Sequence, residues 1–570
     1  MILRAVLNVS GRMVAKLPER LTLRLCGFFG DAIYRLLCRR RRVALSNVYH
    51  CFPDRDPAWH RQTVRESCRR LAEMALFVLA SPAMTLERRF TLSPELAGVI
   101  AEAAARPRPI VALVPHFALA EALTAIPALS EVPCPPIAAI YRPLNQPAID
   151  RWVKDTRQRH GMALLSRRHG FHEAVTRLRA NGTVAVLFDQ KAGDVGTLTT
   201  FFGRVTSSTL LPGLIAERTG ADLLAVYVRR TGLWRGVICC ERLPRPADAT
   251  ESVLLADRWL ERKLREDETL CRNWLWLHDR WRTQDRPPQR LHLSAKRDGL
   301  QRAVHFHGYG ALPRRTPLVV RLPNWLGDVV MALPLLRAIR TGRPDAEITL
   351  LGQAAFQPLM AALGLCEVFE PLPSRASTGY FAALRPLRHR YPATHLLLTN
   401  SLRGDLEARV IGAPQRFGIQ WPGKPPRLLL THCWNAPGAP EQASLHQMRL
   451  WEAFLRHFGL REDPDTTPFT DAFTATSTAG GPHPEGPVGV REIALVAGSD
   501  NAPEKRWPVE HWRALVEALP GFRFALYGTS RDRPITRAIA EGFSPDRVCD
   551  RAGQTSLLEL AAAVAQSDAA

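Results

Sequence analysis

The chain has 570 residues, 46% of them hydrophobic and 23% charged. That composition excludes a mainly disordered or fibrous protein, and the length is enough for two to four domains. Lys and Arg total 76 against 54 Asp and Glu, a formal net charge of +22. The excess is uneven. Residues 1–300 carry 47 basic and 29 acidic side chains, and the remaining 270 residues carry 29 and 25. A basic first half points to an anionic partner: a membrane surface, an acidic protein or nucleic acid. The 11 cysteines form no C-x-x-C pair, and Cys239 and Cys240 are adjacent. Neither a disulfide framework nor a zinc site is expected, and a reducing compartment fits.

Arg4, Arg12, Lys16, Glu19, Arg20 and Arg24 interrupt the first 30 residues, so no signal peptide or spanning helix is expected there. Leu3, Val6, Leu7, Val9, Met13 and Val14 among those cations suit two readings. One is a helix lying in a membrane interface, the other an amphipathic helix packed on its own domain. The Arg39–Arg42 cluster favours an anionic surface. Residues 58–80 have helical spacing, with Val64, Leu71, Met74, Phe77 and Val78 near one face. The apolar runs Ile110–Val114, Val184–Phe188 and Leu223–Val228 then alternate with helical stretches, 118–130 among them. This predicts an α/β layer with a parallel or mixed sheet over residues 1–285.

Residues 286–316 are rich in Arg, Pro and Gly and read as an interdomain linker. A second α/β pattern follows. Its strands are expected at Leu318–Leu322, Glu347–Leu351, His395–Leu398, Ile493–Val496 and Phe522–Tyr527, with a helix over 329–340. The charge-free stretch Ile348–Cys366 holds Gly352, Pro358 and Gly364, and reads as strand, turn and helix rather than a membrane span. Residues 471–490 are rich in Thr, Gly and Pro and read as a hinge between lobes at 317–470 and 491–570. Two α/β lobes joined by a hinge predict a ligand cleft between them.

His116 and Glu121 form an H-x4-E spacing just after a buried strand. Histidine can take a proton from a hydroxyl, and a carboxylate can orient its ring. By itself the spacing is weak, because a histidine capping a helix has the same signature. Its place at a strand end entering a helix is where sites gather on open sheets. Around it stand Arg42-Val-Ala-Leu-Ser-Asn47, Cys51-Phe52-Pro53, Tyr141-Arg142-Pro143-Leu144-Asn145 and Asp189-Gln190. Phe201-Phe202-Gly203, Arg218-Thr219-Gly220-Ala221 and Trp274-Leu-Trp276-Leu-His278-Asp-Arg280-Trp281 follow. In this order, residues 1–290 resemble the lipid A late acyltransferases, the lauroyl and myristoyl transferases of outer-membrane biogenesis. The resemblance implies transfer of a fatty acyl chain from acyl carrier protein to a hydroxyl of a lipid A precursor. It implies His116 as general base, Glu121 as its orienting acid, and direct attack on the thioester without a metal or other cofactor. It offers Arg142, Arg157 and Arg168 for lipid phosphates, with solvated surface charge as the alternative for Arg142 and Arg157, and Asp189 for organising the pocket. Trp274, Trp276 and Trp281 are expected in the core.

In the second half, Asn324-Trp325-Leu326-Gly327-Asp328 lies between a strand and a helix. Asp328 is either a helix cap or a reactive acid beside a glycine that admits a ligand. No G-x-G-x-x-G or P-loop occurs nearby. Further pieces are Asn400-Ser401-Leu402-Arg403, Gly412-Ala-Pro414 with Arg416 and Gly418, Lys505-Arg506-Trp507-Pro508, Tyr527-Gly528 and Ala552-Gly553-Gln554-Thr555-Ser556-Leu557. From residue 317 onward the chain resembles the ADP-heptose:lipopolysaccharide heptosyltransferases of glycosyltransferase family 9, nearer the second-heptose type. That implies the GT-B architecture of two Rossmann-like lobes. It implies Asp328 as base for an inverting displacement and Lys505 as the cation that neutralises the ADP leaving group. The family pattern continues past Ala570 with another strand and an Asp-(Ser/Thr)-Gly…His segment, so the last lobe is expected to be incomplete. A glutamate expected after Tyr527-Gly528 in some relatives is not evident, and Asp532 is the nearest acid.

Together the resemblances imply a bifunctional enzyme of lipopolysaccharide assembly on the cytoplasmic face of the bacterial inner membrane. Its partners would be acyl carrier protein, the lipid A precursor, the lipopolysaccharide core and the membrane surface. The alternative is an acyltransferase with a non-catalytic sugar-binding second half. Nucleic-acid binding rests on charge alone and has no motif.

Overall fold

The computed structural model describes residues 2–166, 170–282, 286–293, 298–438, 445–469, 491–499 and 503–567. Arg168 and the expected hinge at 471–490 lie outside these. The chain divides into two compact units, Met1–Thr316 and Pro317–Ala570.

The first unit opens with four helices: α1 (Ile2–Ala15), α2 (Glu19–Leu36), α3 (Cys38–Cys51) and α4 (Pro57–Ala80). The α4 helix starts where expected because Asp56 accepts hydrogen bonds from the Ala58 and Trp59 amides and Pro57 occupies the first turn. Both α1 and α2 lie close on α4. A Cβ at Gly11 would fall 2.3 Å from the Leu79 carbonyl oxygen, and one at Gly30 would fall 2.5 Å from Arg69 Cα. The reading of a helix packed on its own domain holds for the end of α1. Val14 and Ala15 pack on the core, while Leu3, Val6, Val9 and Met13 stay exposed. Among the described residues no helix is long and apolar enough to cross a membrane.

The strands β1 (Phe90–Leu92), β2 (Ile110–Val114), β3 (Ile137–Tyr141), β4 (Ala163–Ser166), β5 (Thr183–Leu187), β8 (Asp222–Gly232) and β9 (Arg235–Arg242) form one sheet. Between them β6 (Thr197–Phe201) and β7 (Arg204–Ser208) pair as a separate hairpin. The sheet order is β1-β9-β8-β2-β5-β3-β4. Its pairs are parallel except β8–β9. Phe202 and Gly203 are the two turn residues of the β6–β7 hairpin, both at positive φ (53° and 70°). That left-handed pair is why a glycine follows the two phenylalanines. One face of the sheet carries the Trp259, Trp274, Trp276 and Trp281 core. The other is covered by α5 (Pro94–Ala105), a 3-10 turn at Ala120–Ala125 and a short α6 (Ile126–Leu129).

The continuous helix expected over 118–130 is not formed. Leu119 is left-handed (φ 68°), the Thr124 hydroxyl donates to the Glu121 carbonyl at 2.8 Å, and Pro127 restricts the residue before it. The segment 286–316 is also not an extended tether. It holds a helix at Asp298–Phe306, and Leu293 and Leu300 are buried against Leu198 and Val205 of the hairpin.

The second unit carries a six-stranded sheet in the order β12-β11-β10-β13-β14-β15 and a three-stranded sheet β16-β17-β18. The strands are β10 (Thr316–Arg321), β11 (Ala346–Gly352), β12 (Val368–Pro371), β13 (Thr394–Leu397), β14 (Gln415–Gln420) and β15 (His432–Asn435). In the smaller sheet they are β16 (Arg491–Val496), β17 (Phe522–Tyr527) and β18 (Val548–Asp550). The smaller sheet is parallel throughout. Alternating strands and helices give two α/β lobes, as the GT-B expectation requires, and 348–366 is strand, turn and helix.

Candidate active sites

β2 and β5 are neighbours in the first sheet and run parallel, with Val114 opposite Leu187. His116 and Asp189 each lie two residues beyond that matched pair, so the register brings them together at one sheet edge. His116 Nδ1 is 2.5 Å from Asp189 Oδ1. The His116 amide donates to Asp189 Oδ2 at 2.8 Å, and Trp274 Nε1–H donates to the same oxygen at 2.7 Å. Asp189 is 2% exposed, so three donors satisfy a carboxylate with almost no water. Burial pushes its pKa up, but the His116 ring and these donors outweigh burial and hold it at about 2. Burial equally disfavours the His116 imidazolium, and the Asp189 carboxylate reverses this, lifting the ring above its ordinary value.

With Nδ1–H donating to Asp189, Nε2 is left with its lone pair. The Gln190 side-chain amide, 2.9 Å away, donates to it. The Asp189 contact sets this tautomer, and Nε2 keeps an exchangeable donor. Nearby, His278 Nε2 accepts from the Lys191 amide at 3.1 Å. Burial and neighbouring charges hold His278 at about 4, so it is neutral.

The pairing expected between His116 and Glu121 is not made. The left-handed Leu119 and the 3-10 turn carry Glu121 to α7 (Pro147–Arg157). There Arg157 Nε donates to Glu121 Oε2 at 2.9 Å and a second guanidinium nitrogen binds Oε1. Arg157, expected as a phosphate-binding cation, is thereby engaged. Glu121, Arg157 and His116 nonetheless line one cavity of about 270 Å³. Its other walls are mostly apolar, with Leu71, Met74, Leu123, Met162 and Leu164 among them. Arg142 is exposed on the loop after β3. Trp274, Trp276 and Trp281 are buried as expected.

In the second unit, Asp328 lies in the first turn of the helix Leu326–Gly342, directly after β10. Its carboxyl has no partner among the described residues, and partial burial raises its pKa. The loop before it is anchored from below. Buried Arg321 donates from Nε to Glu407 Oε2 at 2.7 Å and from a terminal nitrogen to Asn324 Oδ1 at 3.0 Å. The Tyr380 hydroxyl donates to Glu407 Oε1 at 2.5 Å. Gln353 Nε2 donates to the Asn324 carbonyl at 2.6 Å. Lys505 ends a 3-10 turn after β16, on the other sheet, and is exposed.

Asp532 does not stand in for the expected glutamate. Its Oδ2 accepts from the Thr529 amide at 2.8 Å and hydroxyl at 2.7 Å. It packs so tightly on Gly498 and Gly528 that a Cβ at either would collide with it. It supports two strand-end loops.

Residues 3–283 match the family model for bacterial lipid A biosynthesis acyltransferase. Residues 382–570 match that for glycosyltransferase family 9 (heptosyltransferase). The chain joins a lipid A biosynthesis acyltransferase domain to a glycosyltransferase family 9 domain. Both are enzyme families. Lys505 falls within the second match and Asp328 before it. Lipooligosaccharide heptosyltransferase 2 of Haemophilus ducreyi is 24% identical over 261 residues, covering 41% of this chain and 70% of that protein. Lipopolysaccharide heptosyltransferase 2 of Escherichia coli is 24% identical over 264 residues, with the same coverage. Among solved structures, the E. coli ADP-heptose lps heptosyltransferase II is similar at TM-score 0.36 and 20% identity, covering 44% of this chain and 76% of that one. A family 9 glycosyltransferase from Veillonella parvula is similar at TM-score 0.35 and 18% identity, covering 45% and 74%.

Three contacts around His116 are not readable from the sequence: Gln190 on Nε2, Trp274 on Asp189, and Arg157 on Glu121. The first two sit in motifs already quoted, Asp189-Gln190 and Trp274-Leu-Trp276, so the residues were visible and only their partners were not.

Proposed function

We propose that the first domain transfers a fatty acyl chain from acyl carrier protein to a hydroxyl of a lipid A precursor, with His116 as general base. The observation that carries this reading is the Asp189–His116–Gln190 line, with His116 in the wall of a mostly apolar cavity. The acceptor hydroxyl replaces the Gln190 amide as the donor to Nε2. Its proton passes to Nε2 as oxygen attacks the thioester carbon. The C–O bond forms and the C–S bond breaks. The imidazolium, stabilised by Asp189, returns the proton to the departing thiolate. Arg157 and Glu121 hold each other in the cavity wall.

The second domain, in this reading, transfers heptose from ADP-heptose to the lipopolysaccharide inner core. Asp328 takes the acceptor proton and Lys505 meets the diphosphate. The Asp328 carboxyl, unpaired among the described residues and raised by burial, supports a base that is stronger than an exposed aspartate. The apolar faces of α1 and α2 and the basic first domain fit a place on the cytoplasmic face of the inner membrane.

The test is domain-selective. His116→Ala abolishes acyl transfer from acyl carrier protein and leaves glycosyl transfer intact, and Asp328→Ala does the reverse. Full acyl transfer by the first variant, or normal glycosyl turnover by the second, rejects the respective base.

A further inference from the structure

Asn273 ends the short helix Glu268–Asn273 and stands in the wall of the His116 cavity. Two backbone contacts fix its place. Its carbonyl accepts from the Ala118 amide at 3.1 Å, and the next residue, Trp274, forms an isolated antiparallel bridge with Phe117. The segment that follows His116 is therefore paired with the segment that carries Asn273. Trp274 in turn donates to Asp189, so one stretch of chain braces the carboxylate and lines the cavity.

The Asn273 side chain has an unmet need. The residue is 5% exposed, and its amide nitrogen is buried with no hydrogen-bond partner among the described residues. A buried donor left unpaired is costly, and native interiors rarely keep one. The other polar side chains of the wall are committed. Ser67 donates to the Trp274 carbonyl at 2.7 Å, and Thr124 to that of Glu121. Arg70 is bound to Glu66 and Glu73, Arg157 to Glu121, and Tyr141 to Asp150 and Lys154. His116 stands between Asp189 and Gln190. Among the described residues of the wall, the Asn273 amide is the polar group that remains unclaimed.

Acyl transfer creates a demand for such a donor. As the acceptor oxygen bonds to the thioester carbon, its proton passes to His116 Nε2 and the carbonyl π pair moves onto the carbonyl oxygen. In a mostly apolar cavity that negative oxygen needs a protein N–H or O–H. We propose that Asn273 Nδ2–H donates to this oxyanion, which makes Asn273 a catalytic residue of the acyl-transfer site. The assignment rests on the acyl-transfer reading of His116. With no hydrogen bond to break at its nitrogen, the amide turns about its terminal bond at little cost and meets the oxygen as charge develops. When the carbonyl re-forms, the C–S bond breaks, the thiolate takes the proton from Nε2, and the amide is released.

A donor of this kind acts on the transition state rather than on bound substrate, so its loss appears in kcat with KM unchanged. Its removal also spares the resting fold, because an apolar group of similar shape leaves no orphaned donor.

The test measures transfer from an acyl carrier protein thioester to a lipid A precursor by the full chain. Asn273→Leu, close in shape and without a donor, lowers kcat by about 10²–10³-fold. It leaves KM and the pH inflection of kcat/KM in place and keeps the thermal midpoint at or above that of wild type. Should Asn273→Leu fail to fold, Asn273→Ala carries the same expectation in kcat, KM and pH inflection. Wild-type kcat in whichever variant folds, or a loss of rate that comes with a raised KM or a shifted inflection, overturns the assignment and leaves the general base standing. Failure of both variants to fold makes Asn273 structural and overturns it as well. Wild-type protein that transfers no chain from any carrier thioester overturns the acyl-transfer reading of His116, and this proposal with it.

Discussion

The Arg157 guanidinium binds both carboxylate oxygens of Glu121, the residue five positions past His116. The pair ties the turn after β2 to the end of α7 and forms part of the cavity wall. Removing either partner leaves the other charge poorly solvated. Glu121→Gln and Arg157→Gln are each expected to destabilise the first domain by about 1–3 kcal/mol and to lower acyl transfer. The double variant loses less than the sum of the two. Denaturant unfolding of the four proteins measures the coupling, and strict additivity would mean that the pair does not act as one.

In the proposed mechanism acyl transfer needs a neutral His116. Because Asp189 lifts the ring above its ordinary value of 6.5, the rate should fall as pH drops through an inflection above that value. In Asp189→Asn the carboxylate is gone and burial dominates, so the inflection moves down. The ring also loses its fixed tautomer, at a cost on the order of 10⁴ in rate by analogy with the serine-protease triad. A pH profile of kcat/KM checks both. An inflection that stays in place in Asp189→Asn removes Asp189 from the mechanism.

Glu407 meets Arg321 and Tyr380 beneath the loop that leads to Asp328. Both Glu407 and Arg321 are almost fully buried. Glu407→Gln should therefore destabilise the second unit by about 3–5 kcal/mol, the usual result of stranding a buried charge. Glycosyl transfer should fall as the Asn324 loop loosens. Thermal unfolding together with glycosyl turnover decides it. Arg321 also donates to the Leu322 carbonyl, and wild-type stability in this variant would mean that the Leu322 and Asn324 oxygens hold it alone.

Phe28 is 69% exposed and Leu36 is 77% exposed on α2, with Arg24, Arg35 and the Arg39–Arg42 cluster close in sequence. If this face meets a bilayer, Phe28→Glu and Leu36→Glu should each weaken binding to anionic vesicles by about tenfold or more, the worth of one large apolar group. Salt should weaken wild type as well. Co-sedimentation measures it, and unchanged partition in both variants moves the contact elsewhere.

The eight expected strands were legible because each is a short, mostly apolar run, and Ile110–Val114 matches residue for residue. Ten others are not among those expected, and of these the hairpin strands Thr197–Phe201 and Arg204–Ser208 carry no such signal. The His116–Asp189 contact was not legible, because strand order is not written in local pattern. β2 and β5 are some seventy residues apart, whereas Glu121 lies close by and has the right chemistry. The 118–130 helix was misread because its apolar residues suit any buried turn, and one left-handed leucine decides the outcome. The packed segment 286–316 hid for the opposite reason. It buries a few scattered leucines, Leu291, Leu293 and Leu300, with no steady period.

The parallel pairing that joins His116 to Asp189 also sets a timetable for synthesis. His116 emerges from the ribosome without its carboxylate, and the Trp274 indole that braces that carboxylate follows 85 residues after Asp189. Until β5 docks beside β2 and the Trp274 segment closes over the sheet, the imidazole has neither a set tautomer nor a partner. On the general-base reading of His116, the domain gains its base only when nearly the whole acyltransferase half has been made.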